Sequence, residues 1–598
     1  MTQPPSEAVP RPGGTELPGK DSLFSQVWRM GAAFMASRER NKLLLLAAGL
    51  VAITAATAYA QIRLNAWNQP FYDALTRKDL PGFVTQLGVF AVLAGILLVL
   101  NVVQMWLNQS TRVTLRQGLG HDLFAAWLQP GRAFRLSSAG PIGHNPDQRL
   151  AADAQHLTEL TTDLGIGLLQ ATLLLLSFIT VLWSLSQHMV LPLRGHPLHV
   201  PGYMVWCALL YAATASLLSW RVGRPLVTLD AERYAREAEL RFGLVHVNEE
   251  IEGVTIYGGE ADEKDYLNDL FERVLEVSRR IVGAMTRLTW VTAGYGWFTI
   301  VAPILVAAPS YLTSQMTFGE LMMAVGAFNQ VQTSLRWFID NFSSIADWRA
   351  TLLRVASFRT ALLTMDTLGA GTEHIDIEES RDETLQMDDL RVATPAGCIR
   401  LSEPHVEMKR GERALIVGER GAGRSLFFRA LIGIWPWGSG HIRRPERARM
   451  MFLPARAYVP PGTLRAAVAY PRSAQELEEQ AVAQAFTAVG LGQLTAQLDS
   501  DQRWDRQLND DEKQCLAFAR AALHRPEWLV LNGALDVLDP ASRERIEKLL
   551  SGELSGIGLL NIGQDHGEGS FYTRRLTLES DAAGPTFTPA QHCAPAPS

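Results

Sequence analysis

Six apolar stretches, each about the 20 residues a helix needs to cross a hydrocarbon core, occupy the first 345 positions of this 598-residue chain. They run Leu43 to Ile62, Phe83 to Leu107, Leu164 to Gln187, Val200 to Trp220, Met285 to Ala308 and Phe318 to Asn341. One such stretch alone fits a buried core helix; six in series point to a membrane-spanning domain. Trp67 and Tyr72 after the first stretch, and Trp106 at the end of the second, suit an interfacial aromatic belt. Lys20, Arg29, Arg38, Arg40 and Lys42 precede the first stretch, and Arg112, Arg116, Arg132, Arg135 and Arg149 separate the second from the third. The loop from His188 to His199 carries only Arg194. By the positive-inside rule the N-terminus, the long second and fourth loops and everything after the sixth stretch are cytoplasmic.

Leu226 to Val282 is rich in Glu, Arg, Leu and Ala with few breakers, so the membrane helices are expected to continue far into the cytoplasm. Residues 1–24, rich in Pro, Gly and polar side chains, read as a disordered tail, and no apolar core that would mark a secretory signal follows. Cys207, Cys398, Cys515 and Cys593 show no paired spacing, which argues against a metal site or a disulfide framework. The net charge of −6 is spread along the chain without a basic stripe, so nucleic acid is not an expected partner.

The second constraint is a glycine loop. Gly418-Glu419-Arg420-Gly421-Ala422-Gly423-Arg424-Ser425 follows the apolar run Ala414 to Val417 and precedes Leu426 to Leu431, which reads as strand, turn and helix start. Glycines there let backbone N–H groups approach phosphates, and the helix N-terminus adds a positive dipole. Arg424 stands where a phosphate loop has lysine. Residues 363–385, Gly-rich then acidic, read as a linker, and 386–580 as a second domain with strands at Leu390 to Arg400 and Trp528 to Leu531. Leu516 to Leu523 reads as helix, and 581–598 as a tail. The expected fold is therefore a six-helix membrane domain over 25–362 joined to an α/β phosphate-loop domain.

The membrane half carries a more specific signal. Asn145-Pro146-Asp147-Gln148-Arg149, Glu237-Ala238-Glu239-Leu240-Arg241-Phe242, Glu249 and Glu252 leading to Tyr257-Gly258-Gly259-Glu260, Phe318-Gly319-Glu320-Leu321-Met322, and Ala346-Asp347-Trp348-Arg349 resemble one group of ABC half-transporters. That group is the BacA-related (SbmA/BacA-like) transporters, kin of the peroxisomal fatty-acyl ABC transporters. Asn248 and Glu250 depart from its pattern. The resemblance implies an exporter-type fold, an integral membrane protein of the bacterial inner membrane, a homodimer or heterodimer, ATP and magnesium as cofactors, and a small molecule or peptide as cargo. Peptides, cobalamin and acyl-CoA are the cargo classes of the group.

Set against that group, the nucleotide domain has lost most of its chemistry. The loop keeps Gly418, Glu419, Gly421, Gly423 and Ser425, and Ser425 would ligate magnesium. Arg424 preserves a charge on a bulkier planar fork. The sensing glutamine falls at Ala455. The signature reads Leu508-Asn509-Asp510-Asp511-Glu512, which sets carboxylates against the partner chain's terminal phosphate. Asn532 and Gly533 stand where the group has the metal-binding aspartate and the catalytic glutamate, and Gln564 stands for the switch histidine, two residues before His566. Asp539 keeps its identity. Removing one preorganised stabiliser costs on the order of 10² to 10³ in rate, so weak binding of ATP and magnesium and impaired hydrolysis are expected.

Two other readings stay open, an ordinary ATP-driven transporter and a non-transporting membrane sensor or scaffold regulated by nucleotide. If ATP does not drive transport, proton coupling requires carboxylates on the pathway, for which Glu237, Glu252 and Glu320 are the candidates.

Overall fold

The computed structural model describes residues 28, 30–32, 39–137, 145–187, 191–193, 196–198, 201–313, 315–364, 374–380, 382–394, 397–418, 423–565, 567 and 571–581. The chain divides into two compact units, one made of 1–126 and 145–360, the other of 127–144 and 361–598.

The first unit is helical. Helices α1 (Arg40–Thr76) and α2 (Leu80–Trp127) are followed in the chain by a short α3 (Arg132–Ser137), which lies in the second unit, and then by α4 (Ala154–Ser186), α5 (Tyr203–Glu249), α6 (Ile251–Tyr257), α7 (Glu260–Leu312), α8 (Phe318–Asp340) and α9 (Phe342–Thr364). Five stretches are long and apolar enough to cross a membrane: α1, α2, the run Pro146–Ser186, α5 and α7. The sixth expected stretch forms α8 but is more polar, with Glu320, Asn329, Gln330, Gln332 and Arg336 along it. It tolerates them because it packs against α1, α4, α5 and α7, away from lipid. Helix α2 does the opposite. None of its most apolar 18-residue stretch is buried, and Val92 and Leu98 are 62% and 67% exposed, an arrangement stable only in hydrocarbon.

The long helices α5 and α7 run well past their apolar halves, as the Leu226 to Val282 composition implies, with breaks at Glu250 and Gly258. Two tyrosines of α5 reach the backbone of α7: Tyr211 Oη donates to Tyr295 O at 2.8 Å and Tyr203 Oη to Val306 O at 3.1 Å. The polar ends of the bundle are joined by ion pairs, Arg112–Asp163 at 2.6 Å, Arg354–Asp153 at 3.0 Å and Arg359–Asp122 at 2.7 Å.

The second unit is a ten-stranded mixed sheet with helices on both faces. Its strands are β1 (Asp376–Ser380), β2 (Thr384–Thr394), β3 (Gly397–Leu401), β4 (His405–Lys409), β5 (Arg413–Gly418), β6 (Gly438–Pro445), β7 (Met450–Pro454), β8 (Trp528–Asn532), β9 (Gly558–Ile562) and β10 (Arg574–Asp581). They lie in the order β1-β6-β2-β3-β10-β5-β9-β8-β7, with β4 paired to β2. The expected single strand Leu390 to Arg400 is instead a hairpin, β2 against β3, closing at Thr394 and Gly397; Pro395 lacks the N–H a continuous ladder needs. The expected linker 363–385 contains β1, parallel to β6.

Strand β8 shows why the middle of this sheet reads as a continuous apolar run. Trp528 and Val530 enter the core on one face with Phe427 and Phe428, while Leu529 and Leu531 enter the core on the other with Leu516 and Ile546. Among the described residues its helices of six residues or more after the glycine loop are α10 (Arg424–Ile432), α11 (Leu464–Ala469), α12 (Glu479–Ala488), α13 (Asp510–His524) and α14 (Pro540–Ser551). Helix α3 belongs to this unit: Phe134 packs against the Phe427 core, and the Arg429 guanidinium lies 5.1 Å from its ring centroid.

Candidate functional site

Strands β7, β8, β9 and β5 are parallel neighbours, so their C-terminal ends open on one edge of the sheet, the position at which open α/β sheets place ligands. Asn532 pairs in register with Ile562 on one side and Pro454 on the other. Four segments singled out in the sequence therefore meet there: the end of β5 at Gly418 with Ser425, Ala455, Asn532 with Gly533, and Gly563 with Gln564. The meeting is set by parallel pairing among segments far apart in the chain.

The loop after β5 enters α10 through Gly423, which has φ 75°; a Cβ there would stand 2.0 Å from Ile399 Cδ1, so only glycine fits. Glu419 and Gly421 lie outside the described residues. Arg424 is the first residue of α10, partly buried, with no hydrogen bond or ion pair to the described residues. Ser425 is exposed, and its Oγ faces the Asn532 carboxamide, Nδ2 to Oγ 3.5 Å. Magnesium is a hard cation held through anionic oxygens. A neutral carboxamide whose N–H₂ is aimed at the one hydroxyl ligand does not supply them, and among the described residues no group of three His, Cys, Asp or Glu side chains gathers to hold a metal. The donor set does not fit the ion.

Gly533 adopts φ 64° and donates its N–H to Ile562 O at 2.8 Å. A Cβ built on it meets the Ala455 Cβ at 3.4 Å and Asp536 Oδ2 at 3.7 Å. The two positions from which glutamate and glutamine would act on an attacking water are thus neighbours, and here they bear a hydrogen atom and a methyl group. Gln564 contributes its backbone: its N–H donates to Asp536, 3.2 Å from both carboxylate oxygens. Sequence reasoning missed Asp536. The signal open to it was a carboxylate three residues past Gly533, in the loop that returns beneath the strand ends.

The signature segment is a self-contained helix start. Asn509 caps α13, accepting the Glu512 N–H at 2.8 Å, while Glu512 Oε2 accepts the Asn509 N–H at 3.0 Å. Leu508 is buried. Asp510 meets Lys513 at 3.4 Å. Asp511 turns inward, accepting the Asp539 N–H at 2.8 Å and the Ser542 hydroxyl at 2.9 Å. Asp510, Asp511 and Glu512 thereby place three carboxylates in the first turn of α13, where they complement the helix dipole from within the chain. Burial first and the nearby Asp511 carboxylate second push the Cys515 thiol up to about 12.

The transport candidates are not brought together. Glu320 lies near the N-terminus of α8, where its Oε2 accepts the Thr317 N–H at 2.9 Å and its Oε1 the Gln69 amide at 3.3 Å. Asp73, also missed, accepts the Gly319 N–H at 2.9 Å. Glu237 and Glu252 are exposed, on α5 and α6. Tyr203, at the start of α5, bonds Ser310 near the Glu320 end, and Glu237 lies 34 residues further along α5, about 50 Å away at helical rise.

Comparison with known proteins agrees with this architecture. Residues 32–312 match the family described as ABC transporter transmembrane region 2, and residues 401–535 match the ABC transporter family. The chain is 26% identical over 537 residues to the inner membrane ABC transporter ATP-binding protein YddA of Escherichia coli, covering 89% of this chain and 93% of that one. It is 24% identical to ABC transporter D family member 2, chloroplastic, of Arabidopsis thaliana, with 96% and 89% covered. It is also 24% identical to human ATP-binding cassette sub-family D member 3, with 89% and 84% covered.

Proposed function

This chain belongs to the ABC transporters as a half-size member of the D type, one membrane region joined to one nucleotide-binding domain, and from that premise we propose a transporter whose ATP hydrolysis is impaired or lost. It acts as a dimer in a bacterial inner membrane, with the nucleotide-binding domain in the cytoplasm. Its cargo is of the peptide, cobalamin or acyl-CoA-like class. The observation that carries the reading is the edge formed by β5, β7, β8 and β9, where Asn532, Gly533 and Ala455 stand in place of the metal-binding aspartate, the catalytic glutamate and the sensing glutamine, and only the Ser425 hydroxyl is kept. Gly533 and Ala455 have no side-chain atom able to take or direct a proton.

Pairing with an intact partner does not restore turnover. Each composite site takes its phosphate loop from one chain and its signature from the other, and this chain is altered in both. Starting from a typical turnover of about 10 per second, one loss at the upper end of the usual range leaves about one per minute. One loss at the lower end of that range leaves about six per minute, and since such losses are not additive that figure serves as the upper bound. The test is ATPase activity of the purified chain in lipid. Turnover at or below that bound supports the reading; turnover of several per second overturns it in favour of an ordinary ATP-driven transporter. Uptake of labelled peptide and labelled cobalamin in a transporter-deficient host, with no flux under any ion gradient, would instead favour the sensor reading.

A further inference from the structure

Where α5 and α7 leave the apolar layer, they frame an open groove of about 630 Å³ lined by Pro225, Thr228 and Leu229 on α5 and by Arg280, Gly283 and Arg287 on α7. The spacing explains it. Arg280, Gly283 and Arg287 recur at i, i+3 and i+7, one face of a helix, and the residues on α5 recur at i, i+3 and i+4. The two helices stay in contact along a neighbouring seam of Leu226, Leu229, Val277, Ile281 and Ala284, so the groove follows one side of a closed helix pair. Gly283 forms its floor: a Cβ there would meet nothing within 4 Å.

The groove lies at the depth of lipid headgroups. Trp220, 48% exposed, and Trp290, 79% exposed, end the apolar runs of α5 and α7 on this side, and such aromatics mark the membrane interface. Pro225 and Arg287 lie about 8 and 5 Å beyond them at helical rise. That is the thickness of one headgroup layer, about 5–8 Å.

Its charge is positive toward the membrane. Arg280 is held by Glu232 at 3.1 Å, at the end of the groove away from the apolar runs. Arg287, nearer the membrane, has no hydrogen bond or ion pair to the described residues and is exposed. On α5, Arg221 next to Trp220 is exposed, and the Arg224 guanidinium sits 5.8 Å from the Trp220 ring centroid. The Thr228 hydroxyl donates to Pro225 O at 2.9 Å, so the donors left for an anion are guanidinium N–H groups, which suit phosphate oxygens.

We propose that this groove binds the phosphate of an anionic glycerophospholipid, with Arg287 as the principal contact, Arg280 behind it and the acyl chains lying along the apolar halves of α5 and α7. The site goes beyond the transport reading and does not depend on whether ATP is hydrolysed.

The test is native mass spectrometry of the full-length purified chain in micelles containing phosphatidylglycerol or phosphatidylcholine. Wild type is expected to retain phosphatidylglycerol several-fold over phosphatidylcholine. Arg287→Gln combined with Arg280→Gln should remove that preference, and Gly283→Leu should remove it too by filling the groove with both arginines present. Arg279→Gln, at a 73% exposed side chain paired with Glu272, should retain it. Variants are compared only where size-exclusion profiles match wild type, and Gly283→Leu, which places its Cβ in open space, guards against a fold defect in the arginine double variant. Three results would overturn the proposal: undiminished preference in both groove variants, equal loss in Arg279→Gln, or displacement of the lipid by inorganic phosphate at equal concentration, which would make it a free-phosphate site.

Discussion

Gly533 carries the largest consequence of any single residue in the nucleotide-binding domain. With φ at 64°, it sits where an L side chain costs roughly 1–2 kcal/mol, so replacing it does more than return a carboxylate. Gly533→Glu is expected to lower thermal stability by about that amount, read as an earlier unfolding midpoint of the purified chain. Asn532→Asp changes one atom type in an existing rotamer and carries no such strain. It should increase the protection given by magnesium and ATP, and thermal shift titrations of the two variants separate the effects. Cys515 provides an independent check on the fold. A thiol held at about 12 by burial and by Asp511 is ionised to roughly one part in 10⁴ at pH 8, and the thiolate is the reactive form. Iodoacetamide at pH 8 should leave Cys515 unmodified in the folded chain and label it in denaturant.

Two helix starts show how capping has been used where the family pattern leads one to look for function. Glu320, a candidate proton carrier by position, completes with Thr317 a capping box on α8. Asn509 and Glu512, inside the altered signature, do the same for α13. Thr317→Ala and Asn509→Ala should each cost about 1 kcal/mol, measured by thermal unfolding, while Glu320→Gln, which keeps an acceptor oxygen, should cost less than Glu320→Ala. Asp511 extends the same logic across elements, since its two oxygens join α13 to Asp539 and Ser542 at the start of α14. Asp511→Ala leaves those donors without their acceptor and should cost about 1–3 kcal/mol. If Asp511→Ala proved neutral, the carboxylate would be free to act elsewhere.

For the assembled chain, the dispersed carboxylates shape the expectation for energy coupling. Glu320 is engaged in a cap, whereas Glu237 and Glu252 are exposed on α5 and α6, so flux driven by an imposed pH gradient without ATP should fall in Glu237→Gln and Glu252→Gln and persist in Glu320→Gln. Proteoliposomes carrying labelled peptide measure it, and flux that survives all three changes removes proton coupling from consideration. Much of this architecture is legible in the order of residues alone. The apolar stretches, the strand–glycine–helix punctuation at Gly418 to Ser425 and the doubly buried run at Trp528 to Leu531 are local patterns, and local patterns follow from the spacing of side chains along one element. Tertiary pairing decided the rest. Asp73 reaches Gly319 across 246 positions, Asp536 meets Gln564 across 28, residues 127–144 join the second unit, and Arg280 lines up with Pro225 only when α5 and α7 pack. No window of sequence contains both partners of such a contact. Their meeting depends on which faces the helices and strands bury, and that is settled by the free energy of the whole packed core rather than by the preferences of either segment.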